Sequence, residues 1–296
     1  MTLEQLAGAY LEHLKALNRR PSTLRLAVIA LQDFVGFLGE DRAPSRADVS
    51  AYRARLKKSD LAPSTTYQRF QIVRKWLSWA VIHHHLLLNP ADGFQGKAPW
   101  KKSRYAPTVA EMSQLLEVPD QHKPIGARDR LALEILYGTG LRRNELCSLN
   151  LHDYRRQPPA LMIRAGKGQK DRLVPIGDKL QALLEDYLVT TRPALSPKAE
   201  EPALLLSAFG NRIHPMTLQM RLRLHRHRIG LPQLTIHGIR HAYATHLLAG
   251  GAKLYEIQLL LGHRRLYTTE RYTHLFPHEL MAVYRRTHPR ARRKPQ

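Results

Sequence analysis

Leu3, Leu6, Tyr10, Leu14 and Leu17 recur at steps of three and four residues, the spacing that turns one face of a helix toward a core. Leu24, Val28, Leu31, Val35 and Leu38 repeat the pattern after Pro21 and Ser22, residues that suit a helix start. Ser45 and Asp48 stand at capping-box spacing and open a short third helix, although Asp reaches back less well than Glu. A fourth helix is expected from about residue 64 to 84, with Phe70, Val73, Leu77 and Ala80 on one face. Little in these ninety residues suggests a strand, and the segment reads as a small helical domain.

From residue 88 to 107 the periodicity stops. Asn89-Pro90, Gly93, Gly96, Pro99 and the basic cluster Lys101, Lys102 and Arg104 predict an extended connector. Thr108 and Glu111 restart the helical pattern through a second capping box. The chain therefore divides into a helical domain over 1–90, a linker over 91–107 and a second domain over 108–296. In the second domain, Leu161-Met162-Ile163 and Leu173-Val174-Pro175-Ile176 flank the polar run 166–171, which predicts a hairpin. Pro175 lacks an N–H and keeps its strand at an edge or a strand end. Helices are expected near 177–190, 216–228, 236–248, 253–261 and 268–275, ahead of a basic tail from Arg285 to Lys294. The fold class is mainly α with a small β-sheet or hairpin, in two domains without an internal repeat.

Composition narrows the partners. A chain of 296 residues that is 43% hydrophobic is long enough for two folded domains. No apolar run is read as reaching the roughly 18–20 residues that span a bilayer, and the N-terminus lacks the features of a secretory signal. Cys147 is the only cysteine, which excludes an intrachain disulfide and suits a reducing, cytoplasmic setting. Lys and Arg number 47 against 24 Asp and Glu, a formal charge of +23, and an excess that large calls for a polyanionic partner. A ribosomal or membrane-surface protein shares such a composition. The basic residues lie along the whole chain rather than on one amphipathic helix, which favours nucleic acid over membrane.

Several clusters carry candidate chemistry. In the run 138–146, Gly138 and Gly140 end one helix and Arg142 enters the next, where unpaired N–H groups already attract anions. An ordinary turn with a surface Arg gives the same pattern, and no Walker-type Gly-Lys-Ser follows. Lys167 sits between two glycines at the hairpin tip, able to protonate a leaving oxygen or simply to meet solvent. His237 and Arg240 are one helical turn apart and can both donate to a phosphate. His237 and His241 also have zinc-helix spacing, but Gly238 stands where a metalloprotease needs Glu. His83-His84-His85 ends a helix and reads as polar surface. Leu259-Leu260-Leu261-Gly262-His263 ends an apolar helix on a glycine and presents His263. Tyr272 follows nine residues later, and a Tyr on an amphipathic helix is by itself a core residue.

Taken in order, Gly-Thr-Gly-Leu-Arg, Gly-Lys-Gly, His-x-x-Arg-His, Leu-Gly-His and Thr-Thr-x-x-Tyr-Thr-His resemble the tyrosine recombinase (phage integrase) family. The resemblance runs from about Thr108 to the C-terminus, and the helical N-terminal part looks like the family's core-binding domain. Compact length and His-Pro-Arg-Ala at 288–291 make the chain most similar to the Xer branch. The resemblance implies a two-domain DNA clamp in which Tyr272 attacks a scissile phosphate, leaving a 3′-phosphotyrosine and a free 5′-hydroxyl. It further implies that Arg142 and Arg240 hold the non-bridging oxygens, Lys167 protonates the 5′-oxygen, His237 assists proton transfer and His263 donates to the phosphate. Glu145 is expected to orient this cluster, and Tyr267, five residues before Tyr272, falls on another helical face. Neither metal nor nucleotide cofactor is expected, because the covalent intermediate conserves the phosphodiester energy.

The implied partners are double-stranded DNA recombination sites and three further protomers, identical or of a second recombinase, that pass through a Holliday junction. An accessory protein is compatible with this scheme. Leu280, Met281, Val283 and Tyr284, after a break at Pro277, are expected to dock on a neighbour or to pack on their own domain. Alternatives are a type IB topoisomerase-like relaxing enzyme and a non-catalytic helix-turn-helix DNA-binding protein.

Overall fold

The computed structural model describes residues 2–39, 41–94, 105–164, 171–262 and 277–291. The expected helix at 268–275, and with it Tyr267 and Tyr272, lies outside the described residues, as do Lys167 and His263. The chain forms two compact units, Met1–Lys102 and Ser103–Gln296.

The first unit holds α1 (Leu3–Ala16), α2 (Pro21–Leu38), α3 (Arg46–Lys58) and α4 (Pro63–Ile82). Local chemistry starts each helix. Thr2 with Gln5, and Ser45 with Asp48, form reciprocal capping boxes, while Pro21 and Pro63 occupy first-turn positions that need no N–H donor. Leu3, Leu6, Tyr10 and Leu14 are buried as expected, but Leu17 lies past the helix end and is half exposed. The face expected for α2 is rotated: the fully buried residues are Ala27, Ala30, Leu31 and Phe34, whereas Leu24, Val28, Val35 and Leu38 sit at its flanks. The two alanines let α2 approach α1 and α4 closely, and the Phe34 ring meets Tyr52 and Trp76 edge-on. By length and composition α2 is apolar enough to cross a membrane, which the reading of the sequence had not allowed. Its buried face belongs to a four-helix core, and Asp33 on its flank accepts a hydrogen bond from the Tyr52 hydroxyl at 2.7 Å.

The second unit is built on a buried helix, α6 (Pro124–Thr139), with α5 (Val109–Glu117) before it and α7 (Arg143–Ser148) after it. A three-stranded antiparallel sheet follows, β1 (Tyr154–Arg155), β2 (Ala160–Ile163) and β3 (Arg172–Pro175), in that order. Ile163 faces Arg172 and Ala160 faces Pro175, so Pro175 ends an edge strand where its missing N–H is harmless. α8 (Asp178–Asp186) runs through a π-helical turn, Tyr187–Thr191, into the short α9 (Arg192–Ala194). α10 (Pro215–Arg228), α11 (Ile236–Ala249), α12 (Leu254–Leu261) and α13 (Pro277–Thr287) complete the unit. Asp129 of α6 is almost fully buried and is matched by Arg128, Arg221 and His225, which ties α10 to α6 through hydrogen bonds rather than apolar contact alone.

The C-terminal helix packs on its own unit. Met281 and Tyr284 are buried with Tyr243, Leu247, Ile257 and Leu260, and Leu280 and Val283 pack against the same cluster. The apolar face expected to seek a neighbour is therefore already covered in the single chain. His288, just past α13, is buried among the rings of Tyr137, Tyr243 and Tyr284. Its Nε2 lies 3.1 Å from the Tyr137 carbonyl oxygen, and Nδ1 accepts from the Arg290 N–H at 3.1 Å, so the neutral ring uses both nitrogens. Burial above all drives this imidazole down to about 3, with His246 and Arg290 adding repulsion against the favourable Tyr137 carbonyl.

The sign of the pH effect follows. An unfolded imidazole takes up a proton at its ordinary value near 6.5 and the buried one only near 3, so the stability held by neutral His288 is complete above about pH 6.5 and is lost as pH falls from there. Amide hydrogen exchange over residues 281–291, corrected for intrinsic rates, is expected to quicken between about pH 7.5 and about pH 5.5. Equal protection at both values would contradict a neutral buried imidazole.

Candidate active site

The site grows from the end of α6. Gly140 adopts a left-handed φ of +63°, and its N–H returns to the Leu136 carbonyl at 3.0 Å, closing the helix. A Cβ on Gly140 would lie 2.5 Å from the Tyr243 ring and 2.8 Å from Leu261, so backbone angle and space both demand glycine. Leu141 is buried and pins the turn, which leaves Arg142 as the residue that precedes α7. An Arg cannot accept a capping hydrogen bond. Glu145 acts instead, its carboxylate accepting the Arg142 backbone N–H at 2.9 Å and the Arg142 Nη1 at 2.7 Å.

A third partner reaches the same carboxylate. Arg172, on β3, donates Nη1 to Oε1 at 3.2 Å and Nη2 to Oε2 at 2.9 Å, a two-point grip. Burial raises the Glu145 carboxyl, but the hydrogen bonds from Arg172 and Arg142 outweigh it and hold the group at about 2. Glu145 is therefore ionised throughout the ordinary pH range. Reading the sequence missed Arg172. It shares a strand face with buried Val174, but Lys170 and Asp171 precede it, and in that polar run the sequence gives no local sign of an inward cation.

Arg240 comes from α11, whose first turn is capped by the Thr235 hydroxyl accepting from the Gly238 N–H at 2.9 Å. Its side chain is buried, with the whole residue 6% exposed. Nη1 donates to the Gly140 carbonyl at 2.6 Å and Nη2 to the Leu261 carbonyl at 2.9 Å. Those carbonyls stand at the C-terminal ends of α6 and α12, where oxygens lack intrahelical donors and the potential favours a cation. Burial first, then the nearby Arg142 and Arg172, lowers this guanidinium to about 10, which leaves it charged at neutral pH. His237 lies one turn before Arg240 and is the exposed residue of an otherwise buried first turn of α11. Tyr243 is a buried phenol with its value pushed up by desolvation and its hydroxyl without a partner among the described residues, so it packs behind Gly140 and is unsuited to attack.

The structure thus gathers Arg142, Glu145, Arg172 and Arg240 into one charged cluster, with His237 on the same helix as Arg240. Lys167, His263 and Tyr272 lie outside the described residues. Two described residues mark where their segments attach. Arg172 opens β3 just after the 165–170 run, and Gly262 directly precedes His263. These meet: a Cβ on Gly262, itself at φ +64°, would lie 2.7 Å from the Arg172 Cδ. Among the described residues no group of three or more His, Cys, Asp or Glu side chains could hold a metal ion, and His241 instead lies 3.2 Å from the Thr245 hydroxyl.

Gly140→Ala is expected to lower the unfolding free energy by about 2–4 kcal/mol, combining left-handed strain with overpacking against Tyr243. Hydrogen exchange of the most protected α6 amides, followed with rising urea, checks this, and a change below about 0.5 kcal/mol would contradict the close approach.

Known proteins resemble this chain in sequence and in fold. The sequence profile of the phage integrase family matches residues 108–279. Tyrosine recombinase XerC 2 of Ralstonia nicotianae is 34% identical over 98% of this chain and 87% of its own length. Tyrosine recombinase XerC of Mycobacterium sp. (strain KMS) is 39% identical over 78% of each chain. Among solved structures, the Tn1549 transposon integrase in complex with circular intermediate DNA has a TM-score of 0.73 at 20% identity, covering 95% of this chain and 98% of that one. A lambda integrase dimer bound to a COC′ core site gives 0.71 at 17% identity over 90% of this chain and 96% of that one. With the family's profile over more than half its length and a relative matched nearly end to end, this chain belongs to the phage integrase family of tyrosine recombinases, most like its Xer branch.

Proposed function

We propose that the protein breaks and rejoins duplex DNA at a specific site through a covalent bond between the Tyr272 phenolic oxygen and a backbone phosphate. The observation that carries this reading is the cluster of Arg142 and Arg240 beside Glu145, two guanidiniums whose charge is fixed by a carboxylate and by helix-end carbonyls before any substrate arrives. Electrostatic groups held in place need no reorganisation as negative charge shifts on the phosphorus, and this is where the largest rate gain arises.

In the cleavage step the Tyr272 oxygen bonds to phosphorus, the phosphorus–O5′ bond breaks and the 5′-oxygen leaves with a proton from Lys167. His237 assists removal of the phenolic proton, and His263 donates to a phosphate oxygen alongside Arg142 and Arg240. Joining runs the same steps backward with a 5′-hydroxyl from the exchanging strand. The bond energy stays in the phosphotyrosine, so neither metal nor nucleotide takes part.

Residues 1–90 act as the core-binding domain, 91–107 as linker and 108–296 as the catalytic domain, and together they close on duplex DNA. The formal charge of +23 supplies the salt-dependent part of that affinity. Four protomers, of this chain alone or with a second recombinase, act on two sites through a Holliday junction in the cytoplasm. The relatives' recombinase names and the DNA-bound integrase neighbours support exchange between sites over simple relaxation of supercoils.

The test is adduct trapping on nicked duplexes drawn from a randomised pool. Wild-type protein is expected to form a covalent complex in EDTA without nucleotide, and Tyr272→Phe to form none. Arg142→Ala and Arg240→Ala are each expected to slow cleavage by about 100–1000-fold. An adduct that persists in Tyr272→Phe, or that needs a divalent metal, would contradict the assignment.

A further inference from the structure

Arg142 faces a conflict that the recombinase reading leaves open. A guanidinium that must grip phosphate lies three residues from a carboxylate, and the two alone would make a closed, neutral pair with little pull on an anion. Arg172 changes that balance. It meets both Glu145 oxygens fork to fork, at 3.2 and 2.9 Å, whereas the Arg142 side chain reaches one oxygen through one nitrogen. The Arg172 side chain is 13% exposed against 43% for Arg142, so the two-point pair is the drier of the two. Three groups then carry one net positive charge in place of zero.

Two features fix the arm of Arg172. It leaves β3 opposite Ile163 in the ladder, and its Cδ, Nε and Cζ lie against Gly262, where a Cβ would come within 2.7–3.0 Å. Each terminal nitrogen of Arg172 donates to Glu145 and its Nε is buried, whereas the Arg142 side chain is exposed and, among the described residues, reaches Glu145 through Nη1 alone.

We propose that Arg172 is a positioning residue that holds Glu145 by both oxygens, so that Arg142 is oriented by the carboxylate without being neutralised by it and presents its remaining donors to the scissile phosphate. The proposal rests on the recombinase reading and assigns Arg172 no contact with DNA.

The test uses full-length protein and nicked duplexes built on the sequence recovered from wild-type adducts. At saturating DNA, Arg172→Gln is expected to slow adduct formation by about 10–100-fold while DNA affinity stays within about twofold. Arg172→Lys, which keeps the charge and loses the fork, recovers part of the rate. Because Arg172 acts through Glu145, the pair Arg172→Gln and Glu145→Gln is expected to be no slower than the slower single variant.

An Arg172→Gln rate within about twofold of wild type, or losses that multiply in the pair, would each overturn the proposal. Should Arg172→Gln fail to fold, judged by thermal melting, Arg172→Lys decides, and a wild-type rate there overturns it. If wild-type protein forms no adduct, the recombinase reading falls and the proposal with it. An adduct from wild type with an unimpaired Arg172→Gln removes the proposal alone.

Discussion

One buried cation holds the second unit in shape. Arg240 has lost almost all contact with water, and its guanidinium donates to the carbonyl of Gly140 at the end of α6 and to that of Leu261 at the end of α12. Burying a charge is expensive unless hydrogen bonds replace its hydration. Here the replacements are the oxygens that helix ends leave unmatched, so one group meets three needs: the cation finds acceptors, and two helix termini find a donor each. The requirement fixes its surroundings. Gly140 and Gly262 both take left-handed angles, the first beneath the Tyr243 ring and the second against Arg172.

A second tier of charge is built on that frame. Glu145 lies one helical turn after Arg142 and receives four hydrogen bonds from two arginines, so it stays ionised despite burial. The carboxylate relieves repulsion among three guanidiniums that would otherwise oppose folding, and the excess of positive charge remains as a site for an anion. In the proposed reaction, reactivity toward phosphate and stability of the fold are set by the same few bonds. The buried Tyr137, Tyr243, Tyr284 and His288 rings add the opposite device, a neutral aromatic cluster that seats the last helix on the same unit.

Features governed by neighbours in the chain were legible beforehand. The boxes at Ser45 and Asp48 and at Thr108 and Glu111, the glycine stops at 140 and 262 and the Pro175 edge are matters of one turn or one bond, and the structure places each as the local chemistry requires. The α2 face was misread because Leu24 to Leu31 is apolar on nearly every side, so size rather than periodicity decides, and the small Ala27 and Ala30 face inward. The two-residue β1 and the buried run Ala203–Leu206, held by isolated bridges to Asn150 and Arg212, depend on partners some fifty residues away or across a tight turn. In the site, Arg142, Glu145 and Arg240 were named from motifs, whereas Arg172 was not. Its role comes from a contact with Glu145 across 27 positions, which no local pattern encodes.

The most direct measurement is a crystal structure of the full-length protein trapped on a nicked duplex. The account predicts phosphorus bonded to the Tyr272 oxygen, with Arg142 and Arg240 donating to its non-bridging oxygens at about 2.7–2.9 Å. Phosphorus attached to another side chain, or either guanidinium remote from it, would contradict the claim that these groups converge on one phosphate.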